Sequence, residues 1–245
     1  MLVNKAPHSN RAGKVVGRPT FIRQTGAMSK IPATGPNLAS LFPDNVAYHY
    51  STQMPANAKL LDTELQYTVR MAKKRLRDFT HGRYCARAAL RQLGIPAANA
   101  TIGVGAQREP VWPEGIIGSI SHTDNIAVAV IARTSQLSSI GIDIESAQPL
   151  EEDLIKMIIR PDEMANSHPE EGKLIFSIKE SIYKCIYPQL KLFVDFQDME
   201  VIRSEQDSSF TAVPHNPAID SKLVARLQGR YKIDNDYIIS SAWIE

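Results

Sequence analysis

Cysteine is scarce. The 245-residue chain has two, Cys85 and Cys185, and neither belongs to a Cys-x-x-Cys pair or stands near a histidine at metal-ligand spacing. This excludes a disulfide scaffold and makes a reducing cytoplasm the expected setting. Long apolar runs are missing too. None approaches the roughly 18 residues of a membrane span, and the first residues lack the roughly 7–15-residue apolar core of a secretory signal. Charge of one sign is also lacking, since 28 Lys and Arg against 26 Asp and Glu leave +2. A bulk nucleic-acid binder is therefore not indicated, and any basic function must be local. No G-x-S-x-G nucleophile elbow occurs.

What remains is ordinary globular material, 43% hydrophobic, enough for one large domain or two small ones. Residues 1–36 stand apart. They carry Pro7, Pro19, Pro32 and Pro36, scattered Lys and Arg, and no acid, the first acidic residue being Asp44. They read as a basic, flexible extension, and Met28 is a second possible initiator. From Leu38 the pattern tightens. "DNVAYHYST" reads as a strand, and "DTELQYTVRMAKKRLRDFTHGRYCARAALRQLG" as one or two helices ending at Gly94. "GSISHTDNIAVAVIAR" and "SSIGIDIE" read as strands. "EEDLIKMIIRPDEMANS" reads as a helix interrupted by Pro161, and "EGKLIFSIKESIYKCIYP" as a strong helix, 172–188, stopped near Pro188. "FQDMEVIRS" and "SSFTAVP" are strands, and "GRYKIDNDYIISSAWIE" is a closing hairpin turning at Asn235 and Asp236. Helix and strand sets thus occur twice. The expectation is an α/β (α+β) protein with a first half at 37–145, a second at 146–245, and a ligand cleft between them.

Four stretches could carry chemistry. In "SIGIDIES", alternation puts Ile140, Ile142 and Ile144 on one face and Gly141, Asp143 and Glu145 on the other. Two neighbouring carboxylates repel, so the strand should face positive charge. Such pairs are common on wet strand faces, but a hard cation such as Mg²⁺ also suits them. In "FSIKESIYK", Ile175, Ile178, Ile182 and Ile186 form an apolar stripe, and Glu180 and Lys184 lie opposite as an i,i+4 pair. Phe176 and Tyr183 flank that pair, which favours a helix wedged between layers over a solvated one. From Arg70 to Arg91 the chain carries eight basic residues, among them Arg75 and Arg83, against one acid, Asp78. This face suits phosphate, RNA or anionic lipid, or is plain solvated surface. Finally, "QREPVWPEGIIGSISHT" holds Arg108, Ser121 and His122. Adjacent residues on a strand point to opposite faces, so Ser121 and His122 are not a nucleophile and its base.

These four groups, in this order, resemble the 4′-phosphopantetheinyl transferases, and within them the surfactin-type enzymes and the enterobactin-synthase branch. The strings are "GRYCARAAL", "GSISHT", "GIDIE" and "FSIKESIYK". The resemblance implies two similar α/β halves about a pseudo-twofold axis, with the active site between them. It implies coenzyme A as donor, Mg²⁺ as cofactor, and as acceptor a serine of an apo acyl or peptidyl carrier protein. It further implies a monomer, with neither nucleic acid nor membrane as partner. Carried over residue by residue, Asp143, Glu145 and Glu180 match the metal-binding acids, and Glu180 is also the candidate general base. Lys184 matches the lysine near the pyrophosphate. Arg75 and Arg83 match basic residues on the nucleotide phosphates, with Arg108, Ser121 and His122 beside the same ligand, and Glu163 matches an acid near the metal's water. The rival readings are a Mg²⁺-dependent nuclease or other phosphotransferase, and a non-enzymatic RNA-binding module using the Arg70–Arg91 face.

Overall fold

The apolar run Ile126–Ala132 has polar residues on neither face, which suits a strand covered on both sides. It forms β5 (Ile126–Arg133), buried along its whole length except at Arg133. The computed structural model describes residues 36–96, 100–164, 171–234 and 236–245, all within one unit. In it β5 is the middle strand of a three-stranded antiparallel sheet, between β1 (Ala47–Ser51) and β4 (Ile116–Thr123). The long basic helix α2 (Lys73–Gln92) covers one face, packing Cys85, Ala86, Ala89 and Leu90 against Ala127, Ala129 and Ile131. A short α1 (Asp62–Leu65) precedes it. A two-stranded ribbon of β2 (Gly103–Val104) and β3 (Pro110–Val111) follows, turning at Arg108, whose φ of 65° is left-handed.

The second sheet has the order β6 (Ser139–Ser146), β10 (Tyr237–Ile244), β9 (Leu227–Ile233), β8 (Ser209–Pro214) and β7 (Met199–Ser204), all antiparallel. Helix α5 (Gly172–Leu190) lies on it, and its stripe Ile178, Ile182 and Ile186 meets Phe210, Leu227, Ala242 and Ile244. The other face of β6, Ile140, Ile142 and Ile144, packs with Val128 and Val130 of β5 and with Trp243. The alternation read in "SIGIDIES" is therefore a core face and an α5 face. It is not a core face and a wet one. The short α3 (Glu152–Ile158), α4 (Pro161–Met164) and α6 (Ser221–Val224) complete the second half. Two sheet-and-helix halves result, as expected for the fold class.

The expected division at 145/146 does not follow the sheets. β6 is hydrogen-bonded along its length to β10, so by sheet membership the change falls in the turn before Ser139. β4 and β6 are edge strands of different sheets, and two serines join them. Ile142 N–H donates to Ser119 Oγ (3.1 Å) and Ile144 N–H to Ser121 Oγ (3.3 Å). Side chains thus satisfy edge N–H groups that would otherwise be buried without a partner.

Pro188 does not stop α5. It sits in the last turn, where its fixed φ is helical and its missing N–H removes only one bond, so the helix runs on to Leu190. The stop is Lys191, left-handed at φ 50°, with its N–H bonded to Tyr187 O at 2.8 Å. Pro161 does divide α3 from α4, as its position at the first turn of α4 allows. The expected turn residue Asn235 and the extension up to residue 35 lie outside the described residues. Both cysteines are free and buried. Among the described residues no helix is long and apolar enough to cross a membrane.

Candidate active site

Gly141 decides how α5 meets β6. A Cβ there would strike Ser181 O and come within 2.6 Å of Cys185 N, both backbone atoms of the helix. Its absence lets α5 lie directly on the strand and carries Glu180 and Lys184 over Asp143. Lys184 Nζ is 2.6 Å from Asp143 Oδ1 and 3.2 Å from Ser121 Oγ, and Ser121 Oγ donates to the same Asp143 oxygen at 2.9 Å. Asp143 is 2% exposed, and its second oxygen, Oδ2, is buried without a partner. Two residues along, Glu145 pairs with Lys173 at 3.0 Å. Burial raises the Glu145 carboxyl above its ordinary range, and Asp143 adds to this against Lys173. Burial likewise raises Glu180, with Lys184 opposing and Asp143 and Glu145 reinforcing. Burial works against the charge of Lys184, but Asp143 and Glu180 outweigh it and hold its ammonium above the usual value. The positive charge that this strand faces is thus lysine from α5.

Next to the acids lies a cavity of about 400 Å³ lined by Arg70, Arg75, Arg83, Arg108 and His122, with Tyr67 and Phe79 among its walls. Four residues predicted to hold the nucleotide meet here. A second cavity, of about 490 Å³, beside Ser40, Asp207 and Arg230, contains none of the predicted residues. Gly82 shapes the floor of the basic cavity, since a Cβ would come 2.8 Å from Ile120 Cγ2. Arg83 is 4% exposed, lies 4.5 Å above the Phe79 ring and donates to Gly103 O at 2.9 Å. His122 stands 4.0 Å from Asp78. Burial lowers its pKa, with Asp78 opposing and Arg75, Lys184 and Lys74 reinforcing.

Cavity and acids are joined through β4: Ser121 turns to Asp143 while its neighbour His122 lines the cavity. The two point apart, as strand geometry requires, and Ser121 is therefore an orienting group for Asp143, its hydroxyl spent on the seam between the sheets. Lys184 feels the charges of Asp143, Glu145 and Glu180, but these three acids do not bring one oxygen each within 4.8 Å of one another. Among the described residues, the one group of three His, Cys, Asp or Glu ligand atoms within 4.8 Å of one another is Asp162, Glu200 and His215. Glu163 is 5% exposed and spends its carboxylate on Lys179 Nζ (2.7 Å), Arg160 N (2.8 Å) and Val201 N (2.7 Å), within the second half. Finally, the basic run of α2 is not one exposed face, because Arg83 and Arg87 are buried.

Sequence reasoning missed Lys173, Lys179 and Glu64. Lys173 and Lys179 belong to the helix already singled out, and their acids are distant in sequence, so periodicity could only mark them as polar. Glu64 sits in a four-residue helix with no pattern of its own, yet it is completely buried.

Residues 63–132 match the model of the 4′-phosphopantetheinyl transferase N-terminal domain, and residues 139–241 that of the 4′-phosphopantetheinyl transferase superfamily. The chain is 31% identical over 218 residues to 4′-phosphopantetheinyl transferase Svp of Streptomyces mobaraensis, covering 83% of this chain and 87% of that one. It is 27% identical over 223 residues to 4′-phosphopantetheinyl transferase PptT of Mycobacterium tuberculosis, covering 84% and 97%. It is 38% identical over 128 residues to enterobactin synthase component D of Salmonella typhi, covering 49% and 52%. The chain therefore belongs to the 4′-phosphopantetheinyl transferase family and moves phosphopantetheine from coenzyme A to carrier proteins.

Proposed function

We propose that the acceptor is a serine of an apo acyl or peptidyl carrier domain, and that Asp143, Glu145 and Glu180 hold Mg²⁺. The observation that carries this reading is the unpartnered, buried Asp143 Oδ2 beside two acids of raised pKa. A carboxylate oxygen so placed is costly unless a cation meets it, and all-oxygen donors fit a hard dication that keeps some waters. When bound, the ion supplies neutralisation of phosphate oxygens and polarisation of the β-phosphorus.

The chain's own residues do the rest. Arg75, Arg83, Arg108 and His122 bind the nucleotide's phosphates, with arginine favoured for forked contacts. Lys184 holds the pyrophosphate. Glu180 takes the serine proton as the serine oxygen bonds to the β-phosphorus, and the bond to the α-phosphate oxygen breaks to release adenosine 3′,5′-bisphosphate. The exposed bases of α2, Lys73, Lys74 and Arg77, would steer an acidic carrier. Carriers of siderophore and other nonribosomal peptide assembly, polyketide carriers and fatty-acid carriers are all within this reading. Both halves of the site come from one chain, which supports a monomer, and the two free cysteines suit the reducing cytoplasm.

Mass spectrometry of apo carriers incubated with coenzyme A and this protein tests it. Wild type with Mg²⁺ adds one phosphopantetheine mass. Omission of Mg²⁺ or Asp143→Ala should remove the gain. Undiminished loading without any divalent ion would reject the metal assignment, and cleavage of a phosphodiester without need for coenzyme A would favour the nuclease reading.

A further inference from the structure

Glu64 is wholly buried, an unusual place for an acid on a short helix. Its carboxylate accepts from Leu61 N at 2.9 Å and from Arg87 Nη1 at 2.9 and 2.7 Å. Arg87 also donates to Lys59 O. One turn earlier on α2, Arg83 Nε lies 3.7 Å from Glu64 Oε1, beyond hydrogen-bond reach, and this Nε is buried without a partner. Two buried guanidiniums therefore share one carboxylate, and Arg87 takes its hydrogen bonds. What is left over is a positive charge on Arg83, pinned by Gly103 O and the Phe79 ring at the wall of the basic cavity. Burial pushes the Arg83 pKa down to about 10, and Glu64 is the foremost group opposing that fall.

We propose that Glu64 is a positioning residue for the nucleotide grip: by binding Arg87 and standing just short of Arg83, it fixes the Arg83 guanidinium and leaves its charge for a phosphate of the ligand. This rests on the assignment of the cavity to the nucleotide phosphates. Two physical effects oppose each other here. Removing a carboxylate adds net positive charge beside the cavity, which by charge alone tightens anion binding. Removing the carboxylate 3.7 Å from Arg83 Nε frees its guanidinium to turn away from the cavity wall, which weakens it; removing Glu64 and Arg87 together leaves the local net charge unchanged and isolates this second effect.

Calorimetric binding of adenosine 3′,5′-bisphosphate to the full chain reads the positioning effect without relying on turnover. The double variant Glu64→Gln/Arg87→Met removes the acid together with its buried base, so neither is left unpaired. Its dissociation constant should rise about tenfold or more, the size of a lost charge-assisted bond. KM for coenzyme A should rise with kcat near wild type. Added to Arg83→Ala, the pair should cause no further loss, because its effect runs through Arg83. Unchanged or tighter binding overturns the inference, and so does a loss that persists undiminished beside Arg83→Ala. If Arg83→Ala itself binds the bisphosphate normally, it is the cavity assignment that fails, a result the double variant does not mimic.

Discussion

Lys184 Nζ and Asp143 Oδ1 stand 2.6 Å apart, one on α5 and one on β6, with Ser121 of β4 bonded to both. Three elements thus share one ionic contact at the place where the two sheets meet. Glu180, one turn before Lys184, adds its charge to that of Asp143 in holding the Lys184 ammonium.

Asp143→Ala should abolish carrier loading, and it should also lower stability. Repulsion from Glu145 is relieved, but Lys184 loses its partner, and that loss is the larger. The cost should fall below the roughly 3–5 kcal/mol of a fully buried pair, because the Lys184 side chain keeps 26% of its exposure. Urea unfolding without Mg²⁺ measures it. A variant more stable than wild type would show that carboxylate repulsion, and not the lysine bridge, governs this site.

The Lys179–Glu163 pair makes a different forecast. All three ammonium protons are used, on Glu163, Ile158 O and Phe196 O, and the side chains are 2% and 3% exposed. Lys179→Met leaves a buried carboxylate without its cation and should cost about 3–5 kcal/mol. Binding of adenosine 3′,5′-bisphosphate by the folded variant should stay near wild type. A variant of wild-type stability that lost only Mg²⁺ response would return Glu163 to the metal's surroundings.

Gly141→Ala tests the contact of helix and strand. The new methyl meets helix backbone, which cannot swing aside like a side chain, so α5 must shift. Overpacking of this kind costs about 1–3 kcal/mol or more. Glu180 and Lys184 move with the helix, so kcat should drop while bisphosphate binding in the α2 cavity changes little. Equal losses in both would mean that the shift spreads through the whole site.

His122 predicts a proton. Burial and the nearby Arg75, Lys184 and Lys74 outweigh Asp78 and lower its pKa from 6.5, so the free site holds a neutral imidazole at pH 7. A bound phosphate favours the imidazolium and raises that pKa. Binding should therefore take up protons at pH values above the free pKa and below the bound one. Calorimetry of adenosine 3′,5′-bisphosphate binding in buffers of different ionisation heat reads the number. His122→Asn should remove the uptake, and its persistence would assign the proton to another group.

The α5 stripe, the continuous run of β5 and the alternation of "SIGIDIES" were legible because each is a local pattern with a period set by backbone geometry. Asp143, Glu180 and Lys184 were legible as types in strings. Their partners were not. Lys173 for Glu145, Glu163 for Lys179 and Glu64 for Arg83 are brought together across many residues, and nothing in the local sequence marks the pairing. Ser121 read as a ligand contact because its string offers no sign that β4 and β6 share an edge.

The sequence by itself determined the elements, the apolar faces they would bury and the inventory of acids and bases, since these follow from residue type and spacing. Only the tertiary structure decided that β6 joins the second sheet and that serines stitch it to the first. It alone spends Arg87 on Glu64 while leaving the Arg83 charge over, and leaves Asp143 with one oxygen bridged to lysine and one bare. The reason is physical: the charge state and availability of a buried group depend on which opposite charge the packing brings within a few ångströms, and that distance is a property of the whole fold.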